Sequence, residues 1–109
     1  MTVPNQPGLP KLDGPPQIIV EKQQLDCFTA VNLPALLDHL RATDCFVYGV
    51  VAEICVKLAA FGLLRSGRRV TIVTDAIKEL DAAASARMLA EFKAAGGALT
   101  AAGEILRAG

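Results

Sequence analysis

Tryptophan is absent from this sequence, tyrosine and histidine occur once each, and the three cysteines show no close pairing. A single imidazole, His39, cannot build a histidine-rich zinc site from this chain alone, and no CxxC pair offers a thiolate one. An odd number of unclustered thiols also argues against a disulfide framework and for a reducing compartment. Charge is balanced at 11 basic and 11 acidic residues, and the Lys and Arg residues are scattered. A surface that tracks phosphates needs them gathered on one face, so nucleic acid is not an expected partner. Charged residues break every apolar run before membrane-spanning length, so no membrane partner is expected either. The N-terminus lacks the basic start and apolar core of a secretory leader, which with the free thiols predicts a cytoplasmic protein.

What remains is a chain of 109 residues, 52% apolar, enough for one domain with a packed core. Residues 1–16 (MTVPNQPGLPKLDGPP) carry five prolines and two glycines without any apolar period. They predict an extended arm or linker ahead of a domain over 17–109. Ile18-Ile19-Val20 is a β-branched run that predicts a buried strand ending at Glu21-Lys22. Asn32 is a candidate cap for a helix over 33–42, with Leu33, Leu36, Leu37 and Leu40 on one stripe.

A second strand is expected over 45–51, apolar almost throughout and therefore buried on both faces, as in a parallel sheet. The pattern then gives a helix over 54–66 closed by Gly67, and a strand over 70–74 ending at Asp75. A helix over 80–95, a short strand at 99–100 and a last helical turn over 102–107 follow. Strands alternating with helices of this length imply βαβ crossovers, so the fold class is α/β with a parallel sheet.

Ligands of open parallel sheets gather beyond the carboxyl ends of the strands. Lys22, the segment Gly49 to Cys55, and Asp75 all fall at such ends. Cys55 follows a strand-to-helix turn, where free N–H groups and the helix dipole favour an anion and lower a thiol pKa. Thiol, cation and aimed N–H donors together make an acyl-transfer site. A cysteine after a strand is also commonly a small buried hydrophobe, and a strand-end lysine is commonly solvated. Asp75 fits a cap for the turn after its strand, and Glu53 a structural hydrogen bond. His39 falls on the polar side of its helix, Cys27 and Cys45 fit core or pocket-wall positions, and nothing in the spacing of Asp26 makes it a catalytic acid.

Gly49-Val50-Val51-Ala52-Glu53-Ile54-Cys55-Val56 resembles the nucleophile segment of isochorismatase-like cysteine hydrolases, a Gly-Val-small-x-acidic-x-Cys-Val pattern. Glu21-Lys22 with Phe28 resembles the family's lysine segment, and Gly67-Arg68-Arg69-Val70 through Asp75-Ala76 its next strand and turn. Order and spacing match over about 18–106. The resemblance implies the C-terminal half of a three-layer α/β/α fold with a Rossmann-like parallel sheet. It implies Cys55 as nucleophile, Lys22 as its catalytic partner, and Phe28 in the substrate pocket. It further implies a cis peptide between Val50 and Val51, and an oxyanion hole formed by the Val51 and Cys55 N–H groups.

The family's third catalytic residue, an Asp in an Asp-x-Gln-x-Asp-like segment, has no counterpart here. The Asp and His ligands that hold a metal in the nicotinamidase branch belong to the same missing half, so no cofactor is expected in this chain. In the family that half also supplies a strand beside the one ending at Gly49, which would otherwise be an unpaired apolar edge. The expectation is therefore a partial chain, a homo-oligomer, or a pairing with a complementary N-terminal half. By resemblance the chain is a C–N amidohydrolase acting on a small amide through a Cys thioester. The alternative is an α/β interaction or assembly domain that lacks the triad Asp. A nucleotide-binding fragment is a weaker rival, since no glycine-rich phosphate loop follows either strand.

Overall fold

Short β-branched runs become strands where a neighbour accepts their backbone hydrogen bonds. The computed structural model describes residues 2–9 and 18–108, and the chain divides into two compact units, Met1–Ala42 and Thr43–Gly109. In the first unit, β1 (Thr2–Val3) pairs in parallel with β2 (Ile19–Val20), Thr2 opposite Ile19 and Val3 opposite Val20. The arm expected over 1–16 lies outside the described residues from 10 onward, while its beginning takes part in this pairing. Side chains reinforce it. Asn32 Nδ2 donates to the carbonyls of Pro4, at 3.0 Å, and of Gln6, and Asn5 Oδ1 accepts from the Val31 N–H at 2.8 Å.

A 3₁₀ turn over Cys27–Thr29 is capped by Asp26, whose carboxylate accepts from the Phe28 N–H. Helix α1 (Leu33–His39) follows, shorter than the 33–42 expected. Its cap also differs from expectation: the Asn32 side chain makes no capping bond because it is committed to Pro4 and Gln6. Pro34 in the first turn needs no such cap, since its missing N–H is one of the donors that would go unpaired. Leu40 ends the helix, and Arg41 turns the chain away at φ 53°.

The second unit holds a three-stranded parallel sheet in the order β3 (Asp44–Val50), β4 (Arg69–Lys78), β5 (Ala98–Thr100). The β3–β4 crossover carries a π turn over Ala52–Val56 that runs directly into α2 (Lys57–Arg65). Helix α3 (Ala82–Ala94) joins β4 to β5, and α4 (Ala102–Ala108) follows β5. Asp81, directly before an Ala-rich run, caps α3 by accepting from the Ala83 and Ala84 N–H groups. The α/β class read from the alternation of runs is the class observed.

The core of this unit gathers Val47, Ala52, Val56, Ala60, Val70, Ile72, Met88 and Phe92, with Phe61 meeting Phe92 edge-on at 5.7 Å. Gly97 lies so close to the Phe92 ring that a Cβ there would stand 2.2 Å from it. Three expectations for the strands are corrected, the first being the buried strand over Ile18-Ile19-Val20, since Ile19 in β2 is 52% exposed. β4 runs on past Asp75 to Lys78, and β3 is not buried on both faces. Phe46, Tyr48 and Val50 are 51%, 70% and 65% exposed, because β3 is the edge strand of this sheet and only Val47 among its residues reaches the core.

Candidate active site

The end of β3 owes its geometry to a mismatch with β4. Pairing is regular from Asp44–Arg69 to Val47–Ile72, and it resumes at Gly49–Ile77 and Val50–Lys78. β3 thus advances two residues while β4 advances five, so β4 bulges around Val73 to Ala76 and then returns to grip the last residues of β3. The bulge is anchored to the end of β5 and the start of α4: Thr74 Oγ1 donates to the Thr100 carbonyl at 3.1 Å, and Asp75 Oδ1 accepts from the Ala102 N–H at 2.8 Å. Asp75 therefore does cap a helix start, but that of α4 and not the turn after its own strand.

Gly49, at φ +121°, adopts a backbone conformation that a side chain would strain, and the Val50–Val51 peptide that follows is cis, as the resemblance implies. Val51 then opens the π turn. Its carbonyl accepts from the Ile54 N–H and from the Val56 N–H, each at 3.1 Å. Cys55 lies between these two donors in sequence, and its own N–H makes no bond to the Val51 carbonyl. The Cys55 side chain is partly buried, flanked in the turn by buried Ala52 and Val56. This arrangement can present a thiol and a backbone donor held out of α register from one residue, the two ingredients of covalent acyl transfer.

Glu53 sits in the same turn, and its carboxylate accepts from the Leu80 N–H at 3.0 Å and the Asp81 N–H at 2.5 Å. Desolvation pushes its pKa up, but the bonds from Leu80, its own N–H and Asp81 outweigh that and hold the carboxyl below its ordinary range. The structural role expected of Glu53 is the one seen. Its donors could not be found by reading side chains, because they are backbone groups 27 and 28 residues away. The cap at Asp81 did leave a signal, an Asp directly before an Ala run, which names no partner on its own.

Cys45 faces a different environment: burial pushes its thiol pKa up, with Asp44 adding to the effect and Arg68 opposing it. The Cys45 side chain is partly buried. In the first unit, Lys22 follows β2 and is exposed, and its Nζ donates to the carbonyls of Gln24 at 3.0 Å and Leu25 at 2.8 Å. Phe28 is partly buried within the 3₁₀ turn, and Asp26 is engaged in capping that turn. His39 is exposed at the end of α1. Among the described residues no three His, Cys, Asp or Glu side chains gather so as to hold a metal ion, and no helix is long and apolar enough to cross a membrane.

Comparison with known proteins gives the family and the fold. The Isochorismatase domain model matches residues 6–104. A streptothricin hydrolase of Streptomyces noursei is 39% identical over 77 residues, a stretch covering 67% of this chain and 28% of that protein. The nicotinamidase of Staphylococcus aureus superposes with a TM-score of 0.72 at 21% identity, covering 82% of this chain and 56% of its own. PnC1 from L. infantum, solved in complex with nicotinate, gives a TM-score of 0.72 at 26% identity, covering 80% of this chain and 50% of its own. The chain thus spans 28% of the relative's length and about half of each structural neighbour. With a family model matched over nearly the whole of its length, the chain belongs to the isochorismatase domain family.

Proposed function

We propose that this chain carries the thiol-bearing half of a cysteine-dependent amidohydrolase acting on a small amide. The observation that carries the reading is a partly buried thiol in the turn after β3, on a residue whose N–H does not close on the Val51 carbonyl as an α-helix would require. In the reaction, Cys55 Sγ attacks the amide carbon, and the oxyanion so formed accepts from the Val51 and Cys55 N–H groups. Collapse expels ammonia or an amine and leaves a thioester, which water then hydrolyses. The family resemblance assigns Lys22 the role of catalytic partner and Phe28 a place in the substrate pocket. Since no Asp-x-Gln-x-Asp segment occurs in the sequence, the acid comes from another polypeptide segment, and without it turnover falls by about 10²–10⁴-fold. The relatives make nicotinamide and streptothricin the first compounds to try.

A second reading, a non-catalytic assembly domain, draws support from the exposed Phe46, Tyr48 and Val50 on β3. Site-resolved alkylation separates the two. Treated with iodoacetamide at about pH 6.5, Cys55 should react much faster than Cys27 and Cys45. Equal sluggishness of all three would favour the assembly domain.

A further inference from the structure

The turn that carries Cys55 is in the wrong register for an α-helix, and something must hold it there. In α register the Cys55 N–H would donate to the Val51 carbonyl, four residues back. Here that carbonyl is taken instead by Ile54, three residues on, and by Val56, five residues on. Single π turns of this kind are rare and concentrate at functional sites. No side chain caps this one from Val51. Ala52 and Val56, fully or almost fully buried, fix its inner side in the core. On its outer side Glu53 ties the turn to the Leu80 and Asp81 N–H groups. Those donors sit at the start of α3, whose own first turn is locked by the Asp81 carboxylate.

We infer that Glu53 is a positioning residue: by gripping the N–H groups that precede α3, its carboxylate keeps the Ala52–Val56 turn in π register and so keeps the Cys55 N–H available to substrate. Availability to substrate rests on the hydrolase reading above, whereas the register itself does not. A glutamine at this position has only one acceptor atom and would turn its amide N–H₂ toward the second backbone donor. The turn then relaxes to the α register and the Cys55 N–H closes on Val51. An aspartate keeps both acceptors on a side chain one methylene shorter.

Amide hydrogen exchange on the full chain, read by NMR, tests the register. In Glu53→Gln the Cys55 amide should exchange at least about tenfold more slowly than in the wild type, with Glu53→Asp in between. For any amide that the wild type turns over, Glu53→Gln should lower kcat by about 10²–10³-fold while KM stays within about twofold, the pattern of a lost oxyanion donor. Unchanged Cys55 exchange in a folded Glu53→Gln protein would overturn the inference, as would a risen KM with kcat held. Should Glu53→Gln fail to fold, Leu80→Pro deletes one donor from the other end of the tether and must slow Cys55 exchange as well. If the wild-type thiol proves unreactive, the hydrolase reading falls, and the exchange data still decide what Glu53 does.

Discussion

Glu53 and Cys45 show how one small unit assigns opposite protonation behaviour to two groups within ten residues. The Glu53 carboxylate is held in its charged form by backbone donors, so its folded pKa lies below the unfolded one. Its contribution to stability is therefore present above the ordinary carboxylate range and disappears as pH falls through the folded value. The stability gap between wild type and Glu53→Gln, measured by urea titration, should be open near neutrality and should close in acid. Cys45 runs the other way, since burial favours its neutral thiol. That stabilisation is complete below the ordinary thiol pKa and is lost as pH rises through the raised one. Rates of Cys45 alkylation followed by mass spectrometry should thus climb only at a pH above that of an unhindered thiol.

At the scale of elements, α3 and its exit depend on two residues that make few contacts of their own. Asp81→Ala removes both bonds to the first turn of α3 and should cost about 1 kcal/mol, read as a lower urea midpoint at unchanged m-value. Gly97→Ala should cost about 1–3 kcal/mol, because Phe92 is fully buried and cannot swing away from the new methyl group. The elements themselves were legible: β-branched and apolar runs bounded by Gly67 and Gly96-Gly97 gave every strand and helix of the second unit to within a few residues. The extension of β4 was not. Ala76-Ile77-Lys78 is too short and mixed to read as strand, and it becomes one only through pairing with Gly49 and Val50, a non-local event. Asp75 misled for a related reason, since the N–H it accepts from lies 27 residues downstream. At the site, the cis Val50–Val51 peptide implied by the family resemblance is present, whereas the Glu53 tether was hidden because backbone donors leave no mark on sequence.

For the whole molecule, the feature that matters is the uncovered apolar strip on β3. Phe46 and Tyr48 also line a groove of about 410 Å³ with Val73, Ala76, Ala102 and Ile105. An apolar strip on an edge strand invites association. Tyr48→Lys, at a side chain 70% exposed and so outside the core, should shift the chain toward lower-mass species in sedimentation velocity without lowering its melting temperature. A melting temperature that drops with it would mean that Tyr48 supports the fold itself.

The bend in β4 carries one more consequence, a matter of odd and even. Val70 and Ile72 look into the interior before it, and Ile77 packs there after it, so the inward-facing positions change from even to odd across the bend. Three surplus residues accomplish that switch, as any odd number would. Losing or gaining a single residue between Val73 and Ala76 would hand the interior to Lys78 in place of Ile77, whereas a change of two would leave the hydrophobic pattern intact. Length variation in this bend should therefore come in steps of two.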